Sequence, residues 1–303
     1  MDKRKCVGNA LADMRFHHNY KDDAALRDSF FALAASTFGI RFDKWHERGF
    51  WNERYIPYSF AVKEQVIANV SANLLDLVIE GERKRAVQIG TVMTHPDYRN
   101  QGLSTELMNR VMAEYEGRYD VMYLFANESV LDFYPRFGFQ AVEERLFTLA
   151  YTPTVAGRGR AGVRRLDVEK EEDLRLLYTY ACERMPVSRR FATERAEGIF
   201  MFHCLQAFPD DLYYLPEEDA VVICKQAENR LELFDLVSKR EVRIRDVLAK
   251  MAGPDTGQVV FHFTPDDPAI AVEDAPFSSG LFVIAEGGSR YPAALKHPLT
   301  SIA

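Results

Sequence analysis

Apolar positions at helical spacing come first along the chain, and strand-like alternation follows them. Residues 22–38 predict a helix that Asp22 or Asp23 caps and Gly39 ends. Residues 42–49 predict a short second helix. The strands predicted next span residues 58–64, 66–81 and 86–94, with the charged residues 82–85 forming the turn before the last one.

A strongly amphipathic helix and an almost wholly apolar strand follow. The helix predicted over residues 102–116 carries one apolar stripe, made of Leu103, Leu107, Met108, Val111, Met112 and Tyr115. Residues 120–127 are typical of a strand that is buried on both faces. Residues 129–139 predict a short helix strained by Pro135, and strands at 139–150 are expected to complete this unit.

The second half begins after residues 151–162, whose Gly, Pro and Thr content predicts a linker. The order of its predicted elements weakly repeats the order in the first half. These elements are a strand at 162–168, a helix at 170–185, strands near 220–225 and 231–237, a helix near 243–252, and strands near 258–263 and 281–285. We therefore predict an α/β protein with mixed (α+β type) sheets, with one domain over residues 1–150 and a second, smaller α/β domain over 163–303.

Composition narrows the class of protein. The 303 residues are 47% hydrophobic and 27% charged, as in a soluble globular protein with a sizeable core. The net charge of -7 argues against general nucleic-acid binding and favours cationic small partners. The sequence has no apolar run that approaches the ~18 residues of a membrane span. With no apolar signal core at the N-terminus either, we expect a cytoplasmic protein without a membrane partner. The cysteines, Cys6, Cys182, Cys204 and Cys224, are scattered, which favours buried free thiols over disulfides or a metal site.

The turn before the amphipathic helix is the main candidate for a ligand site. Its sequence, RNQGLS, runs from Arg99 to Ser104 between a predicted strand and the helix. A helix N-terminus presents unpaired backbone N–H groups and partial positive charge, and therefore attracts phosphate. Gly102 lets a ligand approach the backbone, Arg99 adds a cation, and Ser104 or Thr105 can donate a hydroxyl hydrogen bond.

These features resemble those of the GNAT superfamily of acyl-CoA-dependent N-acetyltransferases. The family motif Q/R-x-x-G-x-G/A is matched by Arg99, Gly102 and Ser104, although Ser104 stands where members usually have Gly or Ala. A later family motif, a tyrosine shortly before Gly-Phe, is matched by Tyr134 and Gly138-Phe139. The resemblance covers residues 1–150 and implies a GNAT fold there, with the C-terminal half as a degenerate GNAT-like domain.

The resemblance also implies roles for individual residues. Acetyl-CoA is the implied co-substrate, with no metal. Its pyrophosphate would lie on the turn formed by Arg99, Asn100, Gln101, Gly102, Leu103, Ser104 and Thr105. Its pantetheine arm would pair with the strand backbone at Thr91, Val92 and Met93, where family members splay two strands apart. Asn127 matches a position that often contacts the coenzyme. Tyr134 matches the tyrosine that protonates the leaving thiolate.

The group that accepts the proton of the attacking amine is not evident from the sequence. Many family members use a carboxylate on the fourth strand, and the predicted strand 86–94 has none, because Gln88 carries an amide. Nearby candidates are Asp76, Glu80, Glu82 and His95, each of which could equally be a surface charge. Water that relays the proton to bulk solvent is the alternative.

The acceptor site also has two interpretations. The aromatic residues Trp45, Phe50, Trp51, Tyr55 and Tyr58 could line a pocket for an amine or could anchor the core. Asn69, Ser71 and Asn73 share one face of a predicted strand, which is either a site surface or a solvent-facing one.

The sequence therefore predicts an N-acetyltransferase that moves an acetyl group from acetyl-CoA to a primary amine by direct attack in a ternary complex. The acceptor would be a small molecule or a protein amine. A non-catalytic acyl-CoA sensor is the alternative. The second half lacks the glycine turn, and its basic cluster of Lys239, Arg240, Arg243 and Arg245 is either a phosphate site or a solvated helix face. We expect that half to bind no coenzyme; it could instead cover the acceptor cleft.

Overall fold

The computed structural model describes residues 13–153, 162–285 and 291–303. The helices are α1 (Ala24–Phe38), α2 (Asp43–Glu47), α3 (Leu103–Tyr115), α4 (Glu171–Glu183), α5 (Glu197–Gln206) and α6 (Ile244–Met251). The strands are β1 (Met14–His18), β2 (Tyr55–Val62), β3 (Gln65–Ile79), β4 (Glu82–Thr94), β5 (Val121–Phe125), β6 (Gln140–Ala141), β7 (Glu144–Ala150), β8 (Arg164–Arg165), β9 (Phe191–Glu194), β10 (Leu212–Leu215), β11 (Ala220–Ala227), β12 (Arg230–Ser238), β13 (Gln258–Phe261), β14 (Glu273–Phe277) and β15 (Leu281–Ala285). No helix in these ranges is long and apolar enough to cross a membrane.

Local signals set the ends of α1 as predicted. The carboxylate of Asp23 accepts hydrogen bonds from the backbone N–H groups of Ala25 and Leu26, which have no partner inside the helix. Gly39 closes the helix in the left-handed conformation, with φ +71°. The inner face of α1 packs on the sheet, and Phe30 is fully buried there. Capping and apolar spacing together therefore fixed this element correctly from the sequence.

The strands form two mixed sheets with the same topology. The first has the order β1-β2-β3-β4-β5-β15-β6, with β9 added alongside β3, and the second has the order β14-β7-β13-β12-β11-β10-β8. Each sheet contains one parallel pair, β4 with β5 and β12 with β13, and its other pairs are antiparallel. The two halves of the chain thus share one order of strands, in line with the repeat of elements predicted from the sequence. The predicted mixed α/β fold is confirmed.

The two sheets exchange their last strands. β7, from the first half of the chain, pairs with β13 and β14 in the second sheet. β15, from the second half, pairs with β5 and β6 in the first sheet. The expectation that strands at 139–150 complete the first sheet is therefore wrong for β7, because the place beside β5 is taken by β15. As a division into separate domains, the boundaries at 1–150 and 163–303 stay a prediction. Residues 154–161 of the predicted linker lie outside the described ranges.

Several local predictions need correction. Residues 82–85 belong to β4 and not to the turn, because Ile79 pairs with Glu82 and the hairpin turn is Glu80–Gly81, both with positive φ. The short helix predicted at 129–139 is two 3₁₀ turns, Glu128–Val130 and Tyr134–Phe137. The strand predicted at 162–168 is reduced to β8. The sequence analysis did not predict β1, β9, α5, β10 and β14.

The cysteines are only partly as expected. Cys182, Cys204 and Cys224 are free thiols, and Cys204 and Cys224 are buried as predicted. Cys182 is exposed on α4, which corrects that expectation. Cys6 lies outside the described residues. Within the described ranges, no group of three or more His, Cys, Asp or Glu side chains is placed to hold a metal ion.

Candidate functional site

A β-bulge in β4 lies at the centre of the candidate site. Ser71 of β3 pairs with Gly90, and Asn69 pairs with Met93, so the two residues Thr91 and Val92 lie opposite Val70 alone. Thr91 has φ +49°, a left-handed conformation that a β-branched residue rarely adopts. The bulge turns the backbone of β4 away from the regular ladder at the residues predicted to hold the pantetheine arm.

Beyond this point, β4 and β5 diverge. Their parallel pairing ends at Ile89 and Leu124, whereas β4 continues to Thr94. After β5, the chain turns to the other side, where Ala126 N–H donates to the carbonyl of Gly280 at 2.8 Å. Among the described residues, the splay between the two strands therefore leaves the β5-facing edge of Thr91, Val92 and Met93 without a strand partner.

The end of β4 leads into a helix N-terminus without a side-chain cap. Gly102, with φ +77°, is the N-cap of α3, and a Cβ added there would meet nothing within 4 Å. In the described chain, no side chain accepts from the backbone N–H groups of the turn from Asn100 to Thr105. Ser104 Oγ lies 2.7 Å from Thr94 Oγ1, and Arg99 Nε donates to Thr94 O at 3.2 Å. Open space, free amides and a fixed cation fit an anionic ligand here.

Tyr134 lies in an aromatic cluster beside β15. Its ring contacts Phe133, Phe139 and Phe282, and the side chain is only 4% exposed. Burial raises the pKa of its phenol to about 12, so the hydroxyl keeps its proton at neutral pH. Asn127 is exposed at the end of β5. Phe282 belongs to the exchanged strand, so the C-terminal half helps to form the surroundings of Tyr134.

Behind the bulge runs a chain of buried polar side chains. Tyr20 Oη lies 2.6 Å from Ser59 Oγ, which donates to Asn69 Oδ1 at 2.8 Å. Asn69 Nδ2 donates to the backbone carbonyl of Thr91 at 2.8 Å and lies 3.0 Å from Ser71 Oγ. Ser59, Asn69 and Ser71 have no exposed surface. The polar face of β3 is therefore neither solvent-facing nor an open site surface, because its side chains form hydrogen bonds with each other and with β4.

The C-terminal segment reaches the same region from the other half of the chain. The backbone N–H of Ala303 donates to Gln88 Oε1 at 3.1 Å, and Asn73 Nδ2 lies 3.3 Å from the same oxygen. A Cβ added to Gly90 would lie 3.1 Å from the backbone carbon of Ala303. Gln88 is fully buried, and its Nε2 has no partner among the described residues. Gln88 thus anchors the tail and does not face open solvent.

The candidate proton acceptors lie away from the bulge. Glu82 is at the opposite end of β4, roughly 30 Å from Thr91 at about 3.3 Å per residue, and Glu80 is in the adjoining turn. Asp76 is buried and faces Arg83 at 3.9 Å and Arg195 at 3.6 Å. His95 caps the turn after β4 and accepts from Asp97 N at 3.3 Å.

The aromatic residues proposed for an amine pocket are core anchors. The rings of Trp45 and Trp51 stack with centroids 5.6 Å apart, and both side chains are buried. Trp45 Nε1 donates to Gly198 O, which ties α2 to α5. The ring of Tyr55 packs edge-on against both indoles, and its hydroxyl lies 2.5 Å from Thr91 Oγ1. Phe50 and Tyr58 are also buried. The contact of Tyr55 with the bulge was not foreseen from the sequence, which carries no signal for it.

The second sheet has a similar splay between β12 and β13, but other residues of the chain occupy the gap. β12 pairs with β13 as far as Leu233 and then continues to Ser238. The gap holds residues 299–301: Leu299 N–H donates to His262 O, and the hydroxyl of Thr300 donates to the buried Asp235. The N-terminus of α6 is also occupied, because Ile244 N–H donates to Asp267 Oδ2 at 3.2 Å.

Three of the four basic side chains beside that helix have acidic or carbonyl partners. Lys239 lies 2.7 Å from Glu183, Arg245 lies 4.0 Å from Asp246, and Arg240 donates to the carbonyl of Glu217. The side chain of Arg245 is largely exposed, and that of Lys239 is about one-third exposed. This arrangement is that of a solvated helix face and not of an open phosphate site.

Comparisons with known proteins give a family match for part of the chain. Residues 23–142 match the family model of the acetyltransferase (GNAT) domain. N-alpha-acetyltransferase 50 of Danio rerio is 33% identical over 73 residues, which cover 22% of this chain and 44% of that protein. The chain therefore matches less than half the length of this curated relative.

Two solved structures share the fold over both halves. A protein of Enterococcus faecalis V583 described as a probable N-acyltransferase aligns over 90% of this chain and 72% of its own, with TM-score 0.59 and 17% identity. Eis1 from Mycobacterium abscessus aligns over 90% and 73%, with TM-score 0.57 and 17% identity.

The family match defines the class of the domain that residues 23–142 make up. These residues form a GNAT acetyltransferase domain.

Proposed function

We propose that the protein is an N-acetyltransferase that transfers an acetyl group from acetyl-CoA directly to a primary amine. One observation carries this proposal: the splayed, bulged end of β4 leads straight into an uncapped helix N-terminus. An extended arm with a pyrophosphate at its far end needs this combination, because the arm requires an unpaired strand edge and the pyrophosphate requires free N–H groups.

The residues fit the co-substrate as follows. The turn from Arg99 through Asn100, Gln101, Gly102, Leu103 and Ser104 would hold the pyrophosphate, with Thr105 beside it. The backbone of Thr91, Val92 and Met93 would pair with the pantetheine arm, as an added strand does. Asn127, exposed on the far side of the splay, would contact the arm through its amide.

Acetyl-CoA supplies an activated acyl group, whose carbonyl carbon the amine nitrogen attacks as the carbon–sulfur bond breaks. Tyr134 donates its phenolic proton to the departing sulfur, and the resulting tyrosinate regains a proton from water before the next turnover. Its raised pKa of about 12 keeps the phenol protonated between turnovers. The attacking amine loses its proton to water, because the carboxylates and the histidine considered above lie away from the bulge.

The C-terminal half contributes structure to the same site. It supplies β15 next to Tyr134 and the segment ending at Ala303 next to Gly90. Its own splay is filled by residues 299–301, and its helix N-terminus is capped by Asp267. We infer that it binds no coenzyme and borders the acceptor side of the first sheet.

The test is a thiol-release assay with acetyl-CoA and a panel of primary amines that includes polyamines, an aminoglycoside and lysine-containing peptides. Release that depends on at least one amine is expected. If the coenzyme binds but no amine induces release, the non-catalytic sensor is the better description. Absence of both binding and release would reject the proposal.

A further inference from the structure

We propose that Asn69 is a positioning residue that sets the backbone of the β4 bulge for the transfer reaction. This inference rests on the proposed function, because it assigns a task to the backbone at Thr91 and Val92. Asn69 touches neither the turn at Gly102 nor Tyr134, and it acts through the peptide group that joins the two bulge residues.

The direction of the Asn69 amide is fixed by its neighbours. Ser59 Oγ donates to Asn69 Oδ1 at 2.8 Å, so the Nδ2 group points the other way, where it donates to Thr91 O at 2.8 Å. Ser71 Oγ, 3.0 Å from Nδ2, accepts a hydrogen bond from the second N–H of the amide. Ser59, Asn69 and Ser71 are fully buried, Thr91 is partly exposed, and each partner of Asn69 is within the first sheet.

The contact with Thr91 O determines where the next N–H points. In a planar trans peptide, the carbonyl and the following N–H have opposite directions. Because Thr91 O is directed at Asn69 on β3, the N–H of Val92 is directed to the other side, toward the splay between β4 and β5. Asn69 therefore presents one backbone donor to the gap in which the acyl group would lie.

The bulge needs this support because its conformation is unfavourable by itself. Thr91 is a non-glycine, β-branched residue with φ +49°. Tyr55 Oη, 2.5 Å from Thr91 Oγ1, holds the side chain, and Asn69 holds the carbonyl. If Asn69 loses its donor, the peptide between Thr91 and Val92 is free to rotate and its N–H leaves the required direction.

The experiment compares Asn69→Asp and Asn69→Leu with the wild-type protein. Both keep a side chain that branches at Cγ with the same number of heavy atoms, and both remove the donor to Thr91 O. The turn at Gly102 is untouched, so the affinity for coenzyme A, measured by calorimetry, should change less than about threefold, whereas kcat should fall about 10–100-fold, as small misplacements of reacting groups do. Thr256→Val is the matched control, because it removes a buried hydroxyl bonded to Gln226 Oε1 in the second sheet and should lower the melting temperature without lowering kcat.

A second variant covers the case in which the Asn69 variants do not fold. Ser59→Ala removes the bond that fixes the direction of the Asn69 amide, together with the contact to Tyr20 Oη, and leaves the Asn69 side chain in place. It should lower kcat several-fold with unchanged coenzyme affinity. A crystal structure of either variant gives a readout independent of turnover, because the φ of Thr91 should move out of the left-handed region.

The outcomes separate the two proposals. If wild-type protein neither binds acetyl-CoA nor releases thiol, the proposed function fails, and the role of Asn69 is judged by the φ of Thr91 alone. If the wild type is active, two results would contradict the positioning role. The first is that the Asn69 variants lose no more kcat than Thr256→Val, compared at an equal loss of melting temperature. The second is that Thr91 keeps its left-handed φ in the crystal structure of a variant.

Discussion

Gly102 and Gly117 both have a left-handed backbone conformation and open surroundings, but they lie at opposite ends of α3. Their φ angles are 77° and 69°, and a Cβ added to either would meet nothing within 4 Å. Gly102 begins α3 at the candidate pyrophosphate turn, whereas Gly117 follows the end of the same helix. Substitution should therefore strain both backbones to a similar degree, while only one of them should obstruct a ligand.

We predict that Gly102→Val abolishes coenzyme binding and that Gly117→Val leaves it unchanged. Both variants should lose about 1–2 kcal/mol of unfolding free energy, the usual cost of a side chain in the left-handed region. Calorimetric titration with acetyl-CoA, together with thermal unfolding of both variants, checks this. Equal affinities in the two variants would remove the turn from the binding site.

Tyr134 offers a test of the proton donor. Tyr134→Phe keeps the ring that packs against Phe133, Phe139 and Phe282, so melting temperature and coenzyme affinity should change little. The loss of a general acid should lower kcat about 10²–10⁴-fold where thiolate departure limits the rate.

Tyr123→Phe is the control for that variant. Tyr123 is also buried, and its hydroxyl has no hydrogen-bond partner in the described part of the chain. Its removal should leave kcat unchanged and should not lower stability. An unchanged kcat in Tyr134→Phe, measured at several pH values, would return that residue to a packing role.

At the level of elements, the exchanged strands join the two halves. β15 lies between β5 and β6, and β7 lies between β13 and β14. A fragment that ends near residue 150 keeps every predicted coenzyme contact but loses the strand that covers the edge of β5. An unpaired, apolar edge of this kind promotes aggregation.

We therefore predict that a fragment of residues 1–143 shows no cooperative unfolding transition. The same fragment with residues 279–285 attached through a flexible glycine–serine linker should regain one, because β15 then pairs with β5 again. Circular dichroism during urea titration checks both. A cooperative transition in the shorter fragment would show that β15 is dispensable for the first sheet.

For the whole molecule, buried polar contacts hold the tail between the halves. Glu144 of β7 accepts from Lys296 Nζ and from His297 N–H, both at 2.7 Å, and all three groups are buried. His203 Nε2 contacts Ile302 O at 2.6 Å, close to Ala303. These contacts fix the segment that borders Gly90, so the stability of the tail and the shape of the site depend on each other.

Burial lowers the pKa of both His203 and His297 below the ordinary histidine value. In the unfolded chain each takes up a proton below pH ~6.5, whereas in the folded protein each resists protonation. The unfolded state then binds more protons, so the free energy of unfolding falls as the pH falls, by up to about 1.4 kcal/mol per pH unit for each group.

We predict that stability declines between pH 7 and pH 5 and that His203→Gln reduces the decline. A glutamine amide can donate to Ile302 O as the imidazole does, but it does not titrate. Urea unfolding at several pH values measures the two slopes. Parallel slopes for variant and wild type would contradict the assignment of this dependence to His203.

The sequence by itself determined five of the six α-helices in the described residues, most strands of both halves and the glycine turn before α3. These features depend on neighbours a few residues apart: the apolar stripe of α3, the caps of α1, and the order of Arg99, Gly102 and Ser104 before a helix. The family resemblance drawn from the same short motifs holds for residues 23–142.

Only the tertiary structure decided which strands pair and what the buried polar residues do. β15 pairs with β5 across most of the chain length, and no local period encodes such a partner. The side chain of Asn69 could equally have faced solvent until β2 and β4 enclosed it, and Ala303 reaches Gly90 only because the second half folds onto the first. Periodicity records which face of an element is buried, whereas the choice of partner depends on packing between residues far apart in sequence.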